Sequence, residues 1–275
     1  MSRARNLGST GRPGGPEGSG ESVGPGGTDS AGQPWAGRAF ETNESADDDG
    51  LAPEALIAAL RLFHAREAGE EGVVEAIRVS RLLIPLVTAL GEAGENERGV
   101  TIDKTQELSI ITVAGPDGRN VLPAFTSTAA MTAWNPDARP VPADAVRVAL
   151  AAAQENTDLV VLDPMSPTEY VIRRPALWAI AQSVPWTPSY ASVPVRAAFE
   201  ASVATELSVL GVQLVAGDPG ALLSGPELIV RLELIDGLTQ AELDATLARL
   251  ATRWSENDLI ATGVDSLRVQ LVASV

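Results

Sequence analysis

The sequence predicts an α+β fold made of two small α/β modules, each a mainly antiparallel or mixed sheet packed with helices, behind a disordered leader. Three observations point there. The first 50 residues are dominated by Gly, Pro, Ser, Asp and Glu and hold too little apolar material to offset the entropy of ordering. From residue 51 onward, stripes with helical spacing are interspersed with short apolar runs of strand length. The run Val184-Pro185-Trp186-Thr187-Pro188 then interrupts that pattern and reads as a linker. The resulting plan is a leader over 1–50, a first module over 51–185 and a second over 192–275.

The elements follow in order. Pro53 suits the first turn of a helix, where its missing N–H costs nothing, and Leu56, Leu60 and Phe63 share one face of that helix. A short helix over 71–79 leads into a buried strand over 82–87. Residues 91–99 form a Gly/Glu loop. A hairpin follows, with strands over 108–113 and 120–125 around the turn Gly115-Pro116-Asp117-Gly118, which presets a tight reversal. Ser127 caps a helix carrying Met131 and Trp134. After Pro140 and Pro142 a helix is predicted to bury Val146, Ala149, Leu150 and Ala153. Residues 159–162 form a continuous apolar strand ended by Asp163-Pro164, and 170–173 form another. Pro175 then opens a helix with Trp178 and Ala181.

In the second module, Pro194 starts a helix with Val195, Phe199, Val203 and Leu207 in register. Strands are predicted over 212–216 and 228–235. In the latter, Val230, Leu232 and Leu234 alternate with Arg231 and Glu233, the signature of a sheet covered on one side. Thr239-Gln240-Ala241-Glu242 is a capping box introducing the stripe Leu243, Leu247, Leu250, Trp254. A last strand alternates Leu267, Val269 and Leu271. The order α-β-β-α-β implies one sheet with helices on one face.

Composition narrows the chemistry. The formal charge of the 275-residue chain is −16, which disfavours nucleic acid and anionic membrane surfaces as partners. Hydrophobic residues make up 45% but aromatics only 4%, so the cores must be aliphatic. Cysteine is absent, which removes disulfides, thiolate nucleophiles and Cys metal sites. His64 is the only histidine and Lys104 the only lysine, and there is no P-loop. No metal and no cofactor is expected. The leader lacks the apolar region of a signal peptide, and the longest apolar stretch, over 82–90, contains Pro85 and is too short to span a bilayer. A cytoplasmic location is expected.

The stretch from Asp103 to Pro142, continued over 159–182, resembles the N-terminal domain of the SseB family, named for enhanced serine sensitivity. The resemblance rests on the turn at 116–118, "LPAFTS" at 122–127, Trp134, the run 137–140 and the Asp163-Pro164 turn. The second module resembles the family's C-terminal domain by its element order. The Glu-rich loop over 91–99 departs from the family's pattern. The resemblance implies a cytoplasmic α+β protein with no established catalytic residues to carry over. A secretion-system translocon component of the same name is unrelated, and the lack of a membrane-inserting stretch here separates the two.

Candidate site residues are few. Asp163 falls at the C-terminal end of a strand, where catalytic carboxylates often lie, but with no partner base, nucleophile or metal ligand a strand-ending turn is favoured. Arg173 and Arg174 lie where a strand meets a helix N-terminus, a place suited to an anion, with Tyr170 close by. Solvating a strand end is their plainer role. His64 reads as a boundary residue, Lys104 as a charged loop lysine, Asp47 to Asp49 as a solvated tail end, and Trp134, Trp178 and Trp254 as packing. No catalytic residue is assigned. The expected function is that of a non-enzymatic interaction or regulatory protein linked to amino-acid metabolism, with an unknown protein partner and the oligomeric state left open. The alternative is a small-molecule or anion-binding enzyme using carboxylate, hydroxyl and Arg groups near Asp163 and Arg173.

Overall fold

A computed structural model describes residues 48–88, 108–155, 157 and 159–273. The predicted leader up to residue 47, the loop over 91–99 and Lys104 lie outside the described residues. The described residues fall within one compact unit.

The elements run α1 (Glu54–His64), α2 (Glu70–Arg78), β1 (Arg81–Thr88), β2 (Leu108–Ile110), β3 (Val113–Ala114), β4 (Asn120–Ala124), α3 (Thr128–Trp134), β5 (Arg139–Asp144), α4 (Ala145–Gln154), β6 (Val160–Leu162), β7 (Tyr170–Ile172) and α5 (Arg174–Ala181). After residues 182–192 come α6 (Val193–Val203), β8 (Val209–Ala216), β9 (Leu228–Leu234), α7 (Gln240–Glu256), α8 (Asp258–Gly263) and β10 (Leu267–Ala273). They form three small sheets, in the orders β2-β1-β5, β3-β4-β6-β7 and β10-β9-β8, so the fold is α+β as the sequence predicts.

The first core lies on the inner face of the four-stranded sheet. Leu122, Ala124, Val160, Leu162, Tyr170 and Ile172 meet Leu56, Leu60, Val73 and Ile77 of the first two helices. Alternation along β4, β6 and β7 turns Val121, Val161 and Val171 to the outer face, where they cluster with Leu159 and Leu223. Both faces of this sheet are therefore apolar, which is why residues 159–162 read as an unbroken apolar run.

Strand β5 is a departure from the sequence reading. Pro140 and Pro142 lie within it, opposite Pro85 and Leu83 of β1. Prolines are tolerated because β5 is an edge strand whose outer side has no ladder to complete. Pro85 is tolerated because β1 changes partners there. Leu83 bridges Phe125, whereas pairing with β2 runs from Leu86 to Thr88. Helix α4 is also rotated from the predicted face. Val148, Ala149 and Ala152 are buried while Leu150 is 50% exposed. Asp144 caps it through the Arg147 N–H.

The second core joins Leu228, Val230, Leu232 and Leu234 of β9 to Phe199, Leu250 and Trp254. The Thr239–Glu242 capping box is present. The helix stripe is less uniform than predicted, because Leu243 and Leu247 are only partly buried whereas Thr246 is buried. Leu207 lies beyond the end of α6 and is fully exposed, and Leu271 lies on an edge strand, half-exposed. The last strand pairs parallel to β9 after the crossover through α7 and α8.

Candidate functional site

The outer face of the four-stranded sheet carries an apolar groove of about 420 Å³. Its floor is Val113, Val121, Val161 and Val171, and Trp134 of α3 stands at one side. Two loops wall it. One, over 163–169, connects β6 to β7; the other, over 217–226, connects β8 to β9 and contributes Leu222 and Leu223.

Each loop is held by a buried aspartate. Asp163 accepts the Thr126 N–H and the Thr126 hydroxyl through separate oxygens, both at 2.7 Å, and the Thr168 hydroxyl at 2.7 Å. Asp218 accepts the Leu223 N–H at 2.8 Å and the Ser224 hydroxyl at 2.6 Å. The second loop is pinched at its neck, where Gly217 and Gly225 touch. A Cβ on Gly217 would overlap the Pro226 carbonyl oxygen, so this close approach requires glycine. The Val171 N–H donates to the Ala221 carbonyl at 2.8 Å, which lays the loop along the free edge of β7.

Both loops store backbone strain. Asp163, Met165, Ala221 and Leu223 adopt φ of 45°, 65°, 52° and 56°. Such values cost free energy in residues with side chains and persist only where surrounding bonds enforce them. Here those bonds come from Asp163 and Asp218.

Arg173 fixes the second loop to the sheet. Its guanidinium is buried and donates to Asp218 at 2.6 Å, to Asp265 at 3.0 Å and to the Gly225 carbonyl at 3.0 Å. Burial by itself raises the Asp218 carboxyl, but the Ser224 and Arg173 hydrogen bonds and the guanidinium charge outweigh it and hold the carboxyl below its ordinary value. Arg119 reaches Asp265 from the hairpin at 3.0 Å. Arg174 donates to the Ala261 and Val264 carbonyls at the end of α8 and stacks over Trp178, which is 41% exposed rather than packed in the core. The anions that meet Arg173 at the start of α5 are thus carboxylates of this same chain.

Tyr170 faces the first core, and its hydroxyl donates to Glu70, which also accepts from Tyr190 at 3.0 Å. Of the four residues singled out from the sequence, Asp163 holds a groove wall, Arg173 holds the opposite one, and Tyr170 and Arg174 face elsewhere. Asp218, Asp265 and Glu70 were not legible as their partners, because these pairings span 45 to 100 residues. His64 is exposed on α1, edge-on to Phe63. Asp48 is not a free tail end, since it pairs with Arg81 at 2.6 Å and accepts the Gly50 N–H.

Glu227 is a buried carboxylate and Glu70 a half-buried one, and desolvation pushes both above their ordinary value. A raised pKa in the folded state means that folding takes up protons, so the contribution of these two groups to stability is fully present below the ordinary value of 4.5 and is lost as pH rises through the elevated values. The Tm of the wild type is expected to decline across this window, and Glu70→Gln with Glu227→Gln to flatten the decline. A slope unchanged in that double variant would show that neither group is responsible.

Fold and groove together define an α+β protein with a preformed apolar surface bounded by strained, hydrogen-bonded loops. Residues 54–179 match the family model described as the SseB protein N-terminal domain. The match contains the groove floor and the first loop, and ends before the second loop. Neither the curated proteins nor the solved structures compared with the chain include a match.

Proposed function

We propose that this is a non-enzymatic interaction protein with a regulatory role, bound to a protein partner. One observation carries the reading: an apolar groove lies between two rigidly held loops, while Asp163 and Arg173 beside it are engaged inside the chain. Asp163 meets three donors and Arg173 two carboxylates, which counts against an enzyme or anion site working through them. The absence of cysteine fits a cytoplasmic place of action. No described helix is long and apolar enough to cross a membrane. The connection to serine metabolism rests on the family alone.

The test joins two readouts on the full chain. Incubation with a mixture of amino acids including serine, followed by mass spectrometry, is expected to show no turnover. Size-exclusion of native extract is expected to show the protein co-eluting with one partner in fixed ratio. Consumption of any amino acid by the purified protein would overturn the reading.

A further inference from the structure

We infer that the groove binds a short apolar segment of a partner protein that carries a Lys or Arg beside its apolar side chains. This deepens the interaction reading and rests on it.

The case begins with what the groove offers. Its floor is four valines, one from each of β3, β4, β6 and β7, and its lips are Trp134, Met165 and Leu222. Met165 is 88% exposed and Leu222 40%, although each belongs to a loop fixed by buried hydrogen bonds. Holding a large apolar side chain in water is unfavourable, and holding Met165 at φ 65° adds to that cost. Trp and Met are enriched where protein surfaces bind partners, and the thioether adapts to irregular side chains. Of the six non-glycine residues at positive φ among the described residues, four lie in the two loops that wall this groove, and two of these, Met165 and Leu223, line it.

The chemistry of the lining selects the occupant. A small-molecule site needs several convergent polar groups to orient its ligand. Here Glu169 is the only charged residue in the lining. One of its oxygens accepts the Met165 N–H, which places the carboxylate at the groove mouth. An apolar occupant with a cation near that carboxylate is complementary to it. The chain's net charge of −16 draws a basic segment and repels both an acidic segment and a second copy of this chain. The volume of about 420 Å³ matches a few apolar side chains rather than a folded domain face.

The test uses the full chain with labelled Met, Val and Leu methyl groups in solution NMR. The probe is a capped peptide of alternating leucine and serine with a single arginine, compared with the same peptide bearing glutamate. The arginine peptide is expected to shift the methyl signals of Met165, Val113, Val161 and Leu222, and the glutamate peptide to bind more weakly. Glu169→Gln keeps an acceptor for the Met165 N–H and is expected to weaken the arginine peptide about two- to fivefold, as for a partly exposed ion pair. Met165→Asn places a residue that tolerates positive φ there, so the fold is kept while binding falls about tenfold.

Three results would overturn the proposal: equal binding of both peptides, wild-type affinity in Met165→Asn, or groove signals that move only with protein concentration. The last would make the occupant a second copy. A partner that co-elutes with Met165→Asn as it does with wild type would remove the groove while leaving the interaction reading in place.

Discussion

Arg173→Met is expected to destabilise the protein by about 3–5 kcal/mol, the cost of leaving buried charge without its counter-charge. The guanidinium is 6% exposed, and Asp218 and Asp265 beside it are 1% and 2% exposed. Removing it leaves Asp218, which holds the 217–226 loop, without a cation, and leaves Asp265, just before β10, with Arg119 alone. The damage should concentrate at that junction, so limited proteolysis should cut within 184–192 sooner than in wild type. Adding Asp218→Asn and Asp265→Asn should recover much of the loss, because neutral amides tolerate the site better than unpaired charges. Chemical denaturation of the single and triple variants measures this. Equal stability of wild type and Arg173→Met would mean that the ion cluster is solvated in solution.

Phe199→Ala is expected to cost about 3–5 kcal/mol through the cavity left in the second core. The ring is fully buried and meets Trp254 edge-on with centroids 5.2 Å apart. The indole is fixed independently by its hydrogen bond to Ser202 at 2.8 Å, so it cannot easily collapse into the space. Its neighbours Leu228, Val230 and Leu232 are strand residues with little freedom to shift. The large value follows from that rigidity. The midpoint in urea at constant slope reads it directly, and a loss below that of an ordinary surface substitution would place Phe199 outside the core.

Local chemistry was the part of this fold that the sequence made legible. The capping box at Thr239, the hairpin turn ending at Gly118 and the alternation along β9 depend on neighbours only a few residues away, and all three are present. The rotation of α4 was not legible, since its alanines serve equally well on either face and Leu150 attracts the eye. Strand β5 was hidden by its prolines, whose tolerance depends on being at an edge. For the groove, the sequence pointed to Asp163 and Arg173 but not to their task. That task depends on Asp218, Leu222 and Leu223, which chain order puts far away and folding brings to the same sheet face. The one usable sign was the unbroken apolar run over 159–162, which implies a sheet with two apolar faces and therefore something to cover the second.

Amide hydrogen exchange tests the central claim, a preformed groove with walls locked by Asp163 and Asp218. The decisive amides are Thr126 on Asp163, Leu223 on Asp218 and Val171 on the Ala221 carbonyl. All three are expected to exchange only through large-scale opening, with protection approaching that of the β9 amides in the second core. Exchange of Leu223 and Val171 at the rate of an open surface loop, with β9 still protected, would contradict the account.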